Sequence, residues 1–276
     1  MNVQEVLRRH GFTFDKSKGQ NFLINPSVCP RMAAMGTVPG AGVLEVGPGA
    51  GVLTRELSQA AAKVVAVELD HRLLPVLDET LADCNNITIV QGDILEIDLT
   101  ALLEEQFGGI PVYVCANLPY YITSPVIMHL LESRLPFEAI TVMVQKEAAQ
   151  RLCAQMGNRA CGAITAAVRY YTEPRMLFPV SRGSFVPAPN VDSAVLQLVP
   201  HQAPPVRVED EAAFFRLVRA AFGQRRKTAA NAISAGLSLE KTTVIEALAR
   251  AGLAPAVRAE EFTLEDFARL LSELQD

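Results

Sequence analysis

The opening residues, MNVQEVLRRHGF, lack a long apolar run after their charges. That excludes a secretory signal or a membrane span there, so a cytoplasmic protein with no membrane partner is expected. Cysteines are few. Cys29, Cys84, Cys115, Cys153 and Cys161 are odd in number, scattered, and form no CxxC pair. Reduced thiols are the plain reading, and a zinc site has no support. His10, His71, His129 and His201 form no ligand cluster, so no metal is expected and each reads as a surface or packing residue. No internal repeat or low-complexity run interrupts the chain. Net positive charge is lacking too: the formal charge is −5. A sum of that sign argues against a phosphate-binding protein, although it hides local patches.

What is present is enough for a substantial core, since half of the 276 residues are apolar and a fifth are charged. At roughly 100–200 residues per domain, one large domain with or without a small one is expected. Apolar, β-branched stretches at 43–46, 63–69, 87–90, 112–116 and 140–144 predict strands. Residues 52–62 and 72–82 read as helices between them. Strands separated by helices imply βαβ units, an α/β fold and a mainly parallel sheet. Residues 194–199 (AVLQLV) predict one more strand, closing the sheet edge. The prolines of 201–205 (HQAPP) suggest a linker. Beyond it Phe214, Leu217, Val218, Ala221 and Phe222 recur at helical spacing. Thr263 and Asp266 have the spacing of a capping box, with Asp for the usual Glu or Gln. Leu264, Phe267, Leu270, Leu271 and Leu274 then share one face. The expected division is an α/β domain over 1–202 and a small all-α domain over 203–276.

The first informative segment is Leu44-Glu45-Val46-Gly47-Pro48-Gly49-Ala50-Gly51, a strand, a glycine turn and the start of a helix. Glycines permit a sharp turn and a close approach of backbone to ligand. The spacing is G-x-G-x-G, with valine where the dinucleotide fingerprint needs its third glycine, and the Gly-Lys-Ser/Thr of a P-loop is absent. Alone, such a loop favours a ligand over a structural turn by only roughly two to one. Glu68 ends the next strand about 20 residues on, where an acid can accept from ribose hydroxyls. Asp93, followed by Ile94, comes after the strand beyond that and could accept from an adenine amino group. Either acid alone would read as a solvated strand end. Together, on the sheet edge where parallel sheets bind ligands, they indicate a nucleoside site.

Asn117-Leu118-Pro119-Tyr120 follows another strand and should face the same crevice. The segment resembles the motif of methyltransferases that act on amino groups conjugated to a ring or carbonyl. An adenine amine of that kind is a poor nucleophile because its lone pair is delocalised into the ring. The Asn117 side-chain oxygen and the Leu118 carbonyl could accept its two hydrogens and localise that lone pair. Pro119 would hold the carbonyl, and Tyr120 would stack on a base taken out of any helix. Phe185, in Phe185-Val186-Pro187-Ala188-Pro189-Asn190, could form the other face of an aromatic clamp. Without Asn117–Tyr120 it would read as a buried anchor for a loop.

The glycine loop and following acid resemble the Rossmann-like class I methyltransferases, which implies S-adenosylmethionine as cofactor and a seven-stranded sheet. The whole set resembles the adenine dimethyltransferases of ribosomal RNA, in particular the bacterial small-subunit branch, over nearly the whole chain. Gln20-Asn21-Phe22-Leu23 matches that family's cofactor lid, which implies that Asn21 and Leu23 contact the methionine end of the cofactor. The cofactor set so implied is Asn21, Leu23, Glu45, Gly47, Gly49, Gly51, Glu68, Asp93, Ile94 and Asn117. Residues 221–228 match the basic motif opening the family's helical domain. Arg216 to Lys227 holds five cations and no acid, which suits a phosphate backbone, and Arg225, Arg226 and Lys227 are its densest part. The resemblance implies dimethylation of two adjacent adenosines in a loop near the 3′ end of small-subunit RNA. The expected partner is that RNA within a precursor 30S particle, and the expected enzyme is a monomer. Ala229-Ala230 stands where relatives often have Leu-Arg, and Cys161 where they are often aromatic; both bear on RNA affinity. Three other readings stay open: a large-subunit RNA methyltransferase of the antibiotic-resistance type, a small-molecule amine methyltransferase, and a non-catalytic ribosome-assembly factor.

Overall fold

Residues 3–13 and 21–275 are described by the structure, a computed structural model. Gln20 of the expected lid lies outside them. In chain order the elements are α1 (Val3–Arg9), β1 (Phe22–Leu23), α2 (Val28–Gly36), β2 (Gly42–Val46), α3 (Val52–Ala60), β3 (Lys63–Glu68) and α4 (Leu74–Thr80). There follow β4 (Ile87–Gln91), α5 (Leu99–Phe107), β5 (Val112–Asn117), α6 (Thr123–Glu132), β6 (Phe137–Gln145) and α7 (Lys146–Leu152). The remainder comprises α8 (Ala163–Tyr171), β7 (Thr172–Val180), β8 (Phe185–Val186), β9 (Ser193–Pro200) and α9 (Glu211–Phe222). The last three helices are α10 (Ala229–Leu237), α11 (Lys241–Arg250) and α12 (Leu264–Gln275).

The first of two units comprises Met1–Ala149 and Pro174–Pro200. Its centre is a seven-stranded sheet in the order β4-β3-β2-β5-β6-β9-β7. Pairs from β4 through β6 are parallel, and β9 runs antiparallel to β6. All of β2 and nearly all of β3 are buried, as a sheet covered on both faces requires, and their sequences are correspondingly apolar. Because these strands are parallel, their C-terminal ends share one edge, where the glycine loop, Glu68, Asp93 and Asn117 emerge. Asp98 fixes the start of α5 by accepting from the Ala101 N–H at 3.0 Å, and Gly108 ends it at φ 56°.

The strand expected to close the sheet is not at its edge. β9 lies between β6 and β7, and β7 is the edge strand. β7 goes unread in the sequence because Pro174 and Pro179 interrupt it. An edge strand tolerates prolines, since one side of its backbone needs no ladder donor.

The second unit comprises Gln150–Glu173 and His201–Asp276. This differs from a boundary at 202, because α8 packs with the C-terminal helices. The Tyr170 hydroxyl donates to Glu211 Oε2 at 3.2 Å and the Tyr171 hydroxyl to Oε1 at 2.7 Å. Their rings meet Phe214 and Phe215 at centroid distances of 5.2–5.4 Å. Such contacts bridge about forty residues of sequence, and no local pattern encodes them. At α12, Asp266 accepts from the Thr263 N–H at 2.8 Å and Thr263 Oγ1 accepts from the Asp266 N–H at 3.2 Å. The capping box thus forms with Asp in its third position. Ala229, Ala230 and Cys161 are buried in this unit. In this chain their side chains therefore contribute to packing.

Candidate active site

One cavity opens at the C-terminal edge of the parallel strands, with about 1170 Å³ of open space including its mouth. Asn21, Leu23, Glu45, Gly47, Gly49, Glu68, Asp93, Ile94, Asn117, Leu118, Pro119, Tyr120 and Phe185 all line it. Gly51 does not. At φ 79° it caps α3 and faces away, and a Cβ there would come within 2.9 Å of Thr80 Oγ1. Its glycine serves helix packing. Gly49 has φ 60°, and a Cβ on it would stand 3.3 Å from the Phe22 ring, which covers the loop.

Glu68 binds the loop to the strand beside it. Its Oε2 accepts from the Gly49 N–H at 3.1 Å and its Oε1 from the Asp70 N–H at 2.8 Å. Carboxylate oxygens are the acceptors that ligand hydroxyls require. Asp93 is half-buried, and its Oδ1 accepts from the Leu95 N–H at 2.9 Å. Glu45 is only 1% exposed, and among the described residues its Oε2 has no hydrogen-bond partner. Burial pushes its pKa up to about 8. The nearby Thr54 hydroxyl offsets part of that shift without reaching hydrogen-bond geometry, and Glu68 adds to it. An orphaned carboxyl in an acid-lined cavity fits a cationic ligand better than an anionic one.

The backbone fixes Asn117–Tyr120. The Leu118 N–H donates to the Met143 carbonyl at 3.1 Å. The Pro119 carbonyl accepts from the Ile122 N–H at 3.2 Å and from Thr123 Oγ1 at 3.3 Å. Tyr120 is held by a 2.7 Å hydrogen bond between its hydroxyl and Ser193 Oγ, and burial raises its pKa. The Asn117 side chain, half-buried at the cavity wall, makes no hydrogen bond among the described residues. Phe185 is 2% exposed. It reaches the cavity because β8 pairs antiparallel with β1, matching Leu23 with Phe185 and Phe22 with Val186.

Other cavity residues went unread in the sequence: Asp70, Cys29, Met32, Tyr121 and Ile122. Asp70 lies two residues beyond Glu68 and pairs with Arg72 at 2.6 Å. Its position in Glu68-Leu69-Asp70 was the available signal. Tyr121 sits directly after the recognised motif. In the second unit Arg225, Arg226 and Lys227 are exposed between α9 and α10, and Arg225 Nη2 donates to the Arg159 carbonyl at 3.2 Å. Among the described residues no group of three or more His, Cys, Asp or Glu is placed to hold a metal ion. No helix among them is long and apolar enough to cross a membrane.

The sequence profile of the family described as Ribosomal RNA adenine dimethylase matches residues 11–276. A protein of Lysinibacillus sphaericus named Ribosomal RNA small subunit methyltransferase A is 44% identical, over 99% of this chain and 95% of its own. One of the same name from Streptococcus pneumoniae is 46% identical, over 99% and 96%. Among solved structures, a dimethyladenosine transferase from Plasmodium falciparum superposes with a TM-score of 0.74 at 25% identity, covering 92% of this chain and 97% of that one. The 23S rRNA methyltransferase ErmE gives 0.67 at 28% identity, covering 93% and 100%.

Proposed function

Because this chain belongs to the ribosomal RNA adenine dimethylase family, we propose that its cavity binds S-adenosylmethionine and dimethylates the amino groups of two adjacent adenosines in small-subunit ribosomal RNA. Glu68 would hold the ribose hydroxyls, Asp93 with Ile94 the adenine, and Asn21 and Leu23 the methionine end. When bound, the cofactor supplies an electrophilic methyl group on a sulfonium sulfur.

The rest of the chemistry belongs to the chain. Asn117 Oδ1 and the Leu118 carbonyl accept the two amine hydrogens and turn the nitrogen lone pair toward the methyl group. Pro119 fixes that carbonyl, and the Tyr120 ring, pinned through Ser193, offers one stacking face with Phe185 as the other. The methylated nitrogen is cationic and acidic, and it loses its proton to solvent without a strong base. A second transfer requires that the spent donor be exchanged for a fresh one and that the pocket accept a monomethyl amine.

The single observation behind this reading is that Asn117–Tyr120 and the pair Glu68 and Asp93 line one cavity at one sheet edge. Arg225, Arg226 and Lys227 support RNA backbone binding by the helical unit. We assign the substrate as a precursor 30S particle acted on by a single copy of the chain, which sedimentation would check. Transfer of labelled methyl groups to small subunits lacking the modification tests the function, with large subunits as control and nucleosides identified by mass spectrometry. Dimethyladenosine in the small subunit alone is the expected result. The likeness to ErmE favours one other outcome, transfer to the large subunit, which would replace this reading.

A further inference from the structure

Tyr121 is the one exposed aromatic among the described residues, at 53%, and it also lines the cavity. Its neighbour Tyr120 turns inward and is tied to Ser193. A 3₁₀ turn over Tyr120–Ile122 produces this divergence, since successive side chains on such a turn point about 120° apart. The turn is anchored through the Pro119 carbonyl, so the Tyr121 ring is presented from a fixed backbone. Its hydroxyl makes no hydrogen bond among the described residues. An aromatic ring held in water at a cavity mouth is a stacking surface without a partner.

The charge of the cavity says what kind of contact the mouth offers. Among the described residues its lining includes Glu45, Glu68, Asp70 and Asp93 and no lysine or arginine. RNA phosphates gain nothing from such walls. Base stacking is indifferent to backbone charge and is worth roughly 1–3 kcal/mol per base. If one adenine enters the pocket against Tyr120, the nucleotide beside it on the strand must lie at the rim, where Tyr121 stands.

We propose that Tyr121 is a positioning residue for RNA, stacking on the nucleobase adjacent to the one held in the pocket. The assignment rests on the proposed function. It explains how one adenine of an adjacent pair is set at the rim while the other reacts. The contact lies outside the reacting atoms and adds substrate affinity and register.

The test uses the full-length protein and small subunits lacking the modification, with Tyr121→Ala, Tyr121→Phe and Tyr121→Trp. Tyr121→Ala is expected to raise KM for RNA roughly ten-fold, whereas Phe and Trp restore wild-type KM because stacking needs the ring and not the hydroxyl. The Kd for S-adenosylmethionine, measured by calorimetry, reports that the site is folded in each variant. In an RNA hairpin carrying 2-aminopurine beside the target adenosine, wild-type protein should quench the fluorophore and Tyr121→Ala should not. Unchanged KM in Tyr121→Ala, or a Phe variant as impaired as Ala, overturns the proposal. If the wild-type protein itself transfers no methyl group to small subunits while binding the donor, the proposed function fails instead.

Discussion

At the residue scale the cavity depends on two side chains whose polar atoms are left open. Asn117 is held by the Leu118 to Met143 backbone bond while its own amide makes none. Replacing it with alanine removes one of the two acceptors proposed for the reacting amine and leaves the pocket walls in place. The expected loss in kcat is about 100-fold or more, with the donor Kd changed only a few-fold by calorimetry. A variant that still binds precursor particles while failing to methylate would separate catalysis from any role in assembly. Glu45 is the second. Its pKa in the fold is about 8, against 4.5 for a free carboxyl. Between those values the native state holds a proton that the unfolded chain has released, so this residue's contribution to stability falls as pH rises through that window and levels off above it. Urea unfolding of the ligand-free protein should show that loss between pH 4.5 and about 8, and Glu45→Gln should flatten it. Identical pH profiles for both proteins would mean that Glu45 is ionised in the fold.

At the element scale, short structures do much of the positioning. The two-residue ladder of β1 with β8 brings Leu23 beside Phe185, joining segments 162 residues apart at the cavity wall. The 3₁₀ turn after Pro119 sends Tyr120 inward and Tyr121 outward. In the helical unit the Thr263–Asp266 box satisfies two N-terminal donors of α12, whose Phe267 and Leu270 are fully buried. Thr263→Ala is expected to cost about 1 kcal/mol of stability. Faster hydrogen exchange confined to the first turn of α12, alongside a lowered urea midpoint, would check it. The edge position of β7 is what makes Pro174 and Pro179 tolerable.

At the scale of the whole molecule, the net charge of −5 and the run of five cations from Arg216 to Lys227 point to different tasks. Acids gather where a cationic nucleoside fits, and exposed cations gather in the helical unit where phosphates would bind. Replacing Arg225, Arg226 and Lys227 together by alanine should reduce the slope of log K for RNA binding against log salt by roughly 2 to 3. Donor affinity should stay at the wild-type value. An unaltered slope in filter-binding measurements would place the phosphate contacts elsewhere.

The sequence by itself determined the parallel strands, since both-face burial demands apolar runs such as KVVAVE. It also determined the glycine loop, the acids at successive strand ends and the Asn117–Tyr120 motif. Each is local, written within a strand and the turn that follows it. Only the tertiary structure decided which edge β9 and β7 take, because pairing order is not encoded in alternation. It also decided that residues 150–173 join the helical unit, and that Gly51 and the pair Ala229-Ala230 serve packing. Those outcomes depend on contacts between residues far apart in the chain. Their partners are chosen when the core closes, and no window of sequence contains both halves.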